Sequence, residues 1–83
     1  MKQKELIIHR TAEQMTREDI ANLVQTACEF QCTILIRSGD FQVNAKSLMG
    51  VIALQMEPGM RLCVSTKGPG EDLALSEICE WFS

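Results

Sequence analysis

The stretch Asn44-Ala45-Lys46-Ser47-Leu48-Met49-Gly50-Val51-Ile52 decides how this chain is read. The residues before it, Phe41-Gln42-Val43, alternate as a short strand does. The residues after it lose that alternation. A serine at the change of period can cap the free backbone N–H groups of a helix, so Ser47 opens a short helix running to about Leu54. The segment therefore joins a strand to a helix and leaves a hydroxyl at the junction. Large apolar side chains stand beside that hydroxyl, with Gly50 among them.

Working outward toward the N-terminus, Cys32-Thr33-Ile34-Leu35-Ile36-Arg37 is a strand rich in branched residues. Ser38-Gly39-Asp40 supplies a turn between it and the strand at Phe41, which predicts a hairpin. Upstream, Thr16-Arg17-Glu18-Asp19 has the form of a helix start. Thr16 is the cap, and Asp19 three residues later can complete a capping box. Ile20, Leu23, Val24 and Ala27 then fall at i, i+3, i+4 and i+7, one apolar helix face ending near Cys28 or Glu29. Phe30 closes that helix against the core. Arg10 to Met15 reads as a loop, and Glu5-Leu6-Ile7-Ile8-His9 as the first strand.

Outward toward the C-terminus, Met56-Glu57-Pro58-Gly59 is a turn and Met60-Arg61-Leu62-Cys63-Val64-Ser65 the last strand. Lys67-Gly68-Pro69-Gly70 breaks the chain. Glu71 and Asp72 open a final helix at its positive end. Leu73, Ala74, Ile78, Trp81 and Phe82 are its expected buried stripe, Trp81 and Phe82 serving as core anchors rather than a ligand box. The order is strand, helix, strand, strand, helix, strand, helix. One amphipathic four-stranded sheet with three helices on one face satisfies every apolar stripe, an α+β fold with the other sheet face free to meet water.

Composition narrows the function classes. Eighty-three residues make a single domain, 1–83, and a chain of this size buries only about 60% of its unfolded surface. That leaves no room for a core plus a deep substrate cleft. The net charge of -3 and the absence of a basic run argue against nucleic acid as a partner. No apolar segment approaches the ~20 residues needed to span a bilayer. No signal-peptide pattern opens the chain, so the expectation is a cytoplasmic protein. Cys28, Cys32, Cys63 and Cys79 form no Cys-x-x-Cys pair and there is one histidine, so neither a metal nor another cofactor is expected. The thiols read as reduced and mostly buried. His9 could be a phosphate acceptor or base, but no nucleophile or acid lies at a telling spacing from it, which favours a surface residue at a strand end. No convergent acid, base and nucleophile mark an enzyme.

The element order at this length resembles the histidine-containing phosphocarrier (HPr) family of the bacterial sugar phosphotransferase system. Val43-Asn44-Ala45-Lys46-Ser47-Leu48-Met49-Gly50-Val51 is similar to the segment around that family's regulatory serine. Asn22-Leu23-Val24-Gln25-Thr26-Ala27, with Phe30 after it, resembles the family's first helix. Pro58-Gly59-Met60-Arg61-Leu62 resembles the turn into its last strand, and Gly70 to Phe82 its C-terminal helix. The departure falls on the family's Gly-Leu-His-x-Arg-Pro-Ala. The matching residues here are Gln14-Met15-Thr16-Arg17-Glu18-Asp19-Ile20. Thr16 stands in place of the phosphorylated histidine, Glu18 in place of the arginine and Asp19 in place of the proline. Arg17 is shifted by one residue, about 100° around the helix.

A phosphohistidine site needs an imidazole nitrogen as nucleophile and positive charge to hold the phosphoryl group. A threonine would form a stable ester, and Glu18 and Asp19 repel phosphate. The resemblance therefore implies a regulatory, protein-binding member, one of those that lack the histidine yet keep the serine. Ser47 would be the site for an HPr-kinase-like enzyme. The binding surface would comprise Met15, Thr16, Arg17, Lys46, Leu48, Met49 and Ile52, with protein partners of the phosphotransferase or catabolite-regulation type. The alternative is a phosphocarrier accepting its phosphoryl group at Thr16 or His9. Ser47 reads as a plain helix cap and as a regulatory site, and the two are compatible.

Overall fold

The computed structural model describes residues 1–83. Four strands form one antiparallel sheet: β1 (Lys2–Ile7), β2 (Thr33–Ser38), β3 (Phe41–Asn44) and β4 (Arg61–Lys67). Their order across the sheet is β1-β4-β2-β3. Three α-helices connect or follow them: α1 (Arg17–Cys28), α2 (Leu48–Ala53) and α3 (Glu71–Phe82). A single 3-10 turn, Ala12–Gln14, sits in the segment that reads as loop in the sequence.

Alternation along the strands separates core from solvent. Ile34 and Ile36 of β2, and Leu62, Val64 and Thr66 of β4, are buried toward the helices. Leu35 between them is half-exposed on the open face. The helices answer with Leu23 and Ala27 from α1, Val51 from α2, and Ala74, Ile78 and Phe82 from α3. The hairpin between β2 and β3 has a two-residue loop, closed by the Ser38–Phe41 pair. Gly39 there takes φ 60° while Asp40 keeps a negative φ, the φ signs of a type II′ turn, which needs glycine at its first central position.

Two sequence expectations are corrected here. The first strand begins at Lys2 rather than Glu5 and ends before His9, because Lys2 to Ile7 pair in register with Thr66 to Arg61 of β4. Those early residues lie on an edge strand and are exposed, so they show no apolar alternation. Leu73 is 61% exposed rather than part of the buried stripe. Ala74, Ile78 and Phe82 are separated by full turns, and Leu73 sits about 140° from Ile78 around the helix at 100° per residue. Half-buried Leu75 takes the flank instead. Of the four cysteines, Cys28 is exposed at the end of α1, while Cys32 and Cys63 are buried and Cys79 is half-buried.

The polar groups within the fold are satisfied. The buried Thr66 hydroxyl donates to the Glu71 carbonyl at 2.8 Å. The Glu71 side chain accepts from the Gly68 N–H at 2.9 Å and meets the N-terminal ammonium at 3.3 Å. One acidic residue thus ties the start of β1, the turn after β4 and the first turn of α3.

Candidate functional site

The two residues singled out by the sequence, Thr16 and Ser47, both stand at helix N-caps. Thr16 has extended backbone (φ -68°, ψ 168°) and caps α1. Its hydroxyl accepts from the Asp19 N–H at 3.2 Å and donates to Asp19 Oδ2 at 2.9 Å. Asp19 Oδ2 also accepts from the Thr16 N–H at 3.1 Å. This is a complete capping box. The side-chain and backbone hydrogen bonds from Thr16 hold the Asp19 carboxyl below its ordinary 3.8, and the charge of Arg10 adds to that against a small cost of burial.

Ser47 caps α2 in the simpler way. Its Oγ accepts from the Gly50 N–H at 3.1 Å. Gly50 is favoured by closeness rather than by backbone angle. A Cβ built there would lie 3.3 Å from Ser47 Oγ and 3.4 Å from the Val43 Cβ. Asn44 shapes the approach, its side-chain oxygen accepting from the Lys46 N–H at 2.9 Å and its carbonyl from the Ser47 N–H at 3.0 Å. Met49 is 77% exposed, two residues past the hydroxyl. Leu48 and Ile52 are half-buried on the same short helix. Met15 is half-buried and packs on the core, one residue before the Thr16 cap. Arg17 is exposed in the first turn of α1.

Lys46 does not reach out beside Ser47 as its neighbourhood in the sequence implies. Its Nζ donates to the Phe30 carbonyl at 2.6 Å, and its own carbonyl lies 3.7 Å from Cys28 Sγ. Helix α1 has no basic residue in its last turn, so Lys46 supplies the positive charge that its C-terminal end favours. The contact also holds the loop that carries Ser47 against the end of α1.

His9 lies apart from both caps along the chain. It is exposed, and its backbone N–H donates to the Phe82 carbonyl at 2.9 Å. It borders a shallow groove of about 620 Å³ between β1 and α3, shared with Lys4, Glu5, Asp72 and Glu80. Acids outnumber bases there, which disfavours a phosphoryl group. Cys79 also lines the groove, and burial pushes its thiol up, against the opposing charge of Lys4. No three side chains among His, Cys, Asp and Glu gather into a metal-binding cluster, and no helix is long and apolar enough to cross a membrane.

The two depressed carboxyls make acid stability measurable. Glu71 lies below its ordinary 4.5, chiefly through the Gly68 N–H and secondarily through the N-terminal ammonium, with burial opposing. A carboxyl lowered by folding contributes stability above its unfolded pKa and loses it as pH falls through the folded value. The melting temperature should therefore hold above about pH 4.5 and fall as pH drops below that. Thermal melts of Asp19→Asn and Glu71→Gln between pH 7 and pH 2 should each show a shallower acid decline than the parent. Parallel curves would show that these carboxyls are not coupled to folding.

A small α+β domain with one four-stranded antiparallel sheet and three helices has the architecture of the phosphocarrier-type proteins on which it superposes. The chain belongs to the HPr family of the phosphotransferase system: the family model described as the PTS HPr component phosphorylation site matches residues 3–83. It is 41% identical over 58 residues to the phosphocarrier protein HPr of Treponema pallidum, covering 70% of this chain and 66% of that protein. Its structure superposes on the phosphocarrier protein HPr of Bacillus anthracis with a TM-score of 0.91 at 28% identity, over 99% of this chain and 96% of that one. The catabolite repression protein Crh of Bacillus subtilis, described as a domain-swapped intertwined dimer, is similar at a TM-score of 0.76 and 25% identity, over 93% and 83% of the two chains.

The pairing of Arg10 with Trp81 is the contact of this region that sequence reading missed. The Arg10 guanidinium lies 3.9 Å from the centroid of the Trp81 ring, and the pair is separated by 71 positions. The one signal in the sequence was indirect: the last turn of α3 carries no basic residue of its own.

Proposed function

We propose that this HPr-family chain works by binding protein partners rather than by carrying phosphohistidine, with Ser47 as its phosphorylation point. The observation that carries the reading is the Thr16–Asp19 capping box. Where the family motif supplies an imidazole, this chain has a hydroxyl already bonded to a carboxylate at 2.9 Å. The same carboxylate accepts from the Thr16 N–H at 3.1 Å and sets a negative charge where a phosphoryl group would sit at the start of α1. Glu18 adds a second negative charge to that turn. A phosphoryl group arriving there meets repulsion and finds no nitrogen nucleophile.

The binding surface in this reading comprises Met15, Thr16, Arg17, Leu48, Met49 and Ile52. Exposed Met49 is its adaptable centre, since methionine fits irregular apolar partners. Lys46 contributes by holding the Ser47 loop, its ammonium being committed to Phe30. Phosphate on Ser47 adds about −1.5 to −2 charge two residues from Met49, and so converts an apolar contact into one that favours a cationic partner. Partners of the phosphotransferase or catabolite-regulation type, and a kinase of the HPr-kinase kind, fit this chemistry. The cytoplasm is the compartment where they would meet.

Intact-mass spectrometry after two incubations tests it. With phosphoenolpyruvate and the general enzyme of the phosphotransferase system, no phosphoryl group should be gained. With ATP and an HPr kinase, a single phosphoryl group should be gained, and Ser47→Ala should abolish it. A gain from phosphoenolpyruvate would overturn the reading and point to Thr16 or His9 as a working acceptor.

A further inference from the structure

The segment that carries Met15 and Thr16 is held by a residue outside every motif of the family. Arg10 leaves the end of β1 and stacks on Trp81. Its Nε donates to the Trp81 carbonyl, and its Nη1 donates to the Gln14 carbonyl at 2.8 Å. The Trp81 carbonyl is one of the last four of α3, which the helix itself leaves without partners. Glu77, Glu80 and Thr26 line the hollow beside the stack, so the guanidinium is the cation of an otherwise acidic helix end. Between Arg10 and Thr16 the chain makes its 3-10 turn. The Gln14 N–H donates to the Thr11 carbonyl at 3.0 Å and the Met15 N–H to the Ala12 carbonyl at 3.1 Å. Gln14 Oε1 accepts from the Thr11 N–H at 3.0 Å. One side chain thus fastens both ends of a short turn to the last turn of α3.

We propose that Arg10 is the positioning residue of this surface: it clamps the 11–15 turn to the last turn of α3 and so fixes where Met15 and the Thr16 cap stand. The geometry needs arginine. A planar fork can cover an indole face and reach two carbonyls in different directions at once, whereas a lysine ammonium is a point charge on a flexible stem. The proposal rests on the binding reading only for what the clamp serves; the clamp itself is tested without any partner.

The experiment is amide hydrogen exchange by NMR on the full chain, comparing the parent with Arg10→Ala and Arg10→Lys. The Gln14 and Met15 amides should exchange at least about tenfold faster in both variants. The Gly50 and Val51 amides, which bond to Ser47, should keep their parent rates and so control for global destabilisation. Unchanged rates at Gln14 and Met15, or an equal acceleration at all four amides, would overturn the proposal. Full protection in Arg10→Lys would show that charge alone suffices and would overturn the clamp. The binding reading fails on a different result: phosphoryl gain from phosphoenolpyruvate.

Discussion

Phe82→Ala is expected to destabilise the fold by about 3–5 kcal/mol, the usual cost of removing a fully buried phenylalanine. Phe82 is 1% exposed in the last turn of α3 and belongs to the single core cluster. Its ring meets the Trp81 ring edge-on, with centroids 5.0 Å apart and planes at 84°. Total stability for a chain of this length is roughly 4–12 kcal/mol, so the loss is a large fraction of the whole. The loss spreads beyond the cavity, because Trp81 supports Arg10 and the Phe82 carbonyl receives the His9 N–H. Urea denaturation read by tryptophan fluorescence measures it directly. A loss below about 1 kcal/mol would show that the last turn is dispensable to the core, against the packing described here.

The second large effect is a gain. The triple variant Thr16→His, Glu18→Arg, Asp19→Pro should accept a phosphoryl group from the phosphoenolpyruvate-driven donor, where under the proposed function the parent should accept none. The imidazole supplies the nucleophile, the guanidinium the positive charge, and removal of Asp19 takes away a repelling carboxylate and releases the N–H of residue 16 from which it accepts. Proline is tolerated in a first helical turn, and loss of the cap costs about 0.5–2 kcal/mol, which the domain can absorb. Thr16→His alone should remain inert, because Asp19 and Glu18 still oppose the phosphate. Intact mass before and after mild acid separates an acid-labile phosphoramidate from a threonine ester. A triple variant that stays unmodified would show that these three residues do not by themselves decide phosphoryl acceptance, and would point to recognition by the donor.

Local chemistry was legible in the sequence and distant chemistry was not. Both helix caps depend on a side chain and an N–H three positions away, so Thr16 and Ser47 could be placed from spacing alone. The buried stripe of α1 followed the 3.6-residue period. Leu73 misled because hydrophobicity was weighed above angle: it is apolar, but on the wrong side of the helix. Lys2, Gln3 and Lys4 were missed as strand because an edge strand can be built from polar residues when its partner fixes the register. Lys46 was placed beside its neighbour in sequence, Ser47, whereas a carbonyl 16 residues away holds its ammonium. The Arg10–Trp81 stack joins the two ends of the chain, and no periodicity encodes such a pair.

The two long helices each end on a cation contributed by another part of the chain, and the order in which those cations meet their helices during translation differs. Lys46 leaves the ribosome 16 residues after Phe30, so the end of α1 can be closed while the C-terminal half is still being made. Arg10 is made early and must wait 71 residues for Trp81, nearly the whole length of the protein. β1 waits as well, since its only sheet partner is β4. The nascent chain therefore carries an unpaired first strand until β4 has emerged, and an unfastened 11–15 turn until Trp81 has. Chains stalled before β4 would expose an open strand edge, a substrate for quality control rather than a half-working protein.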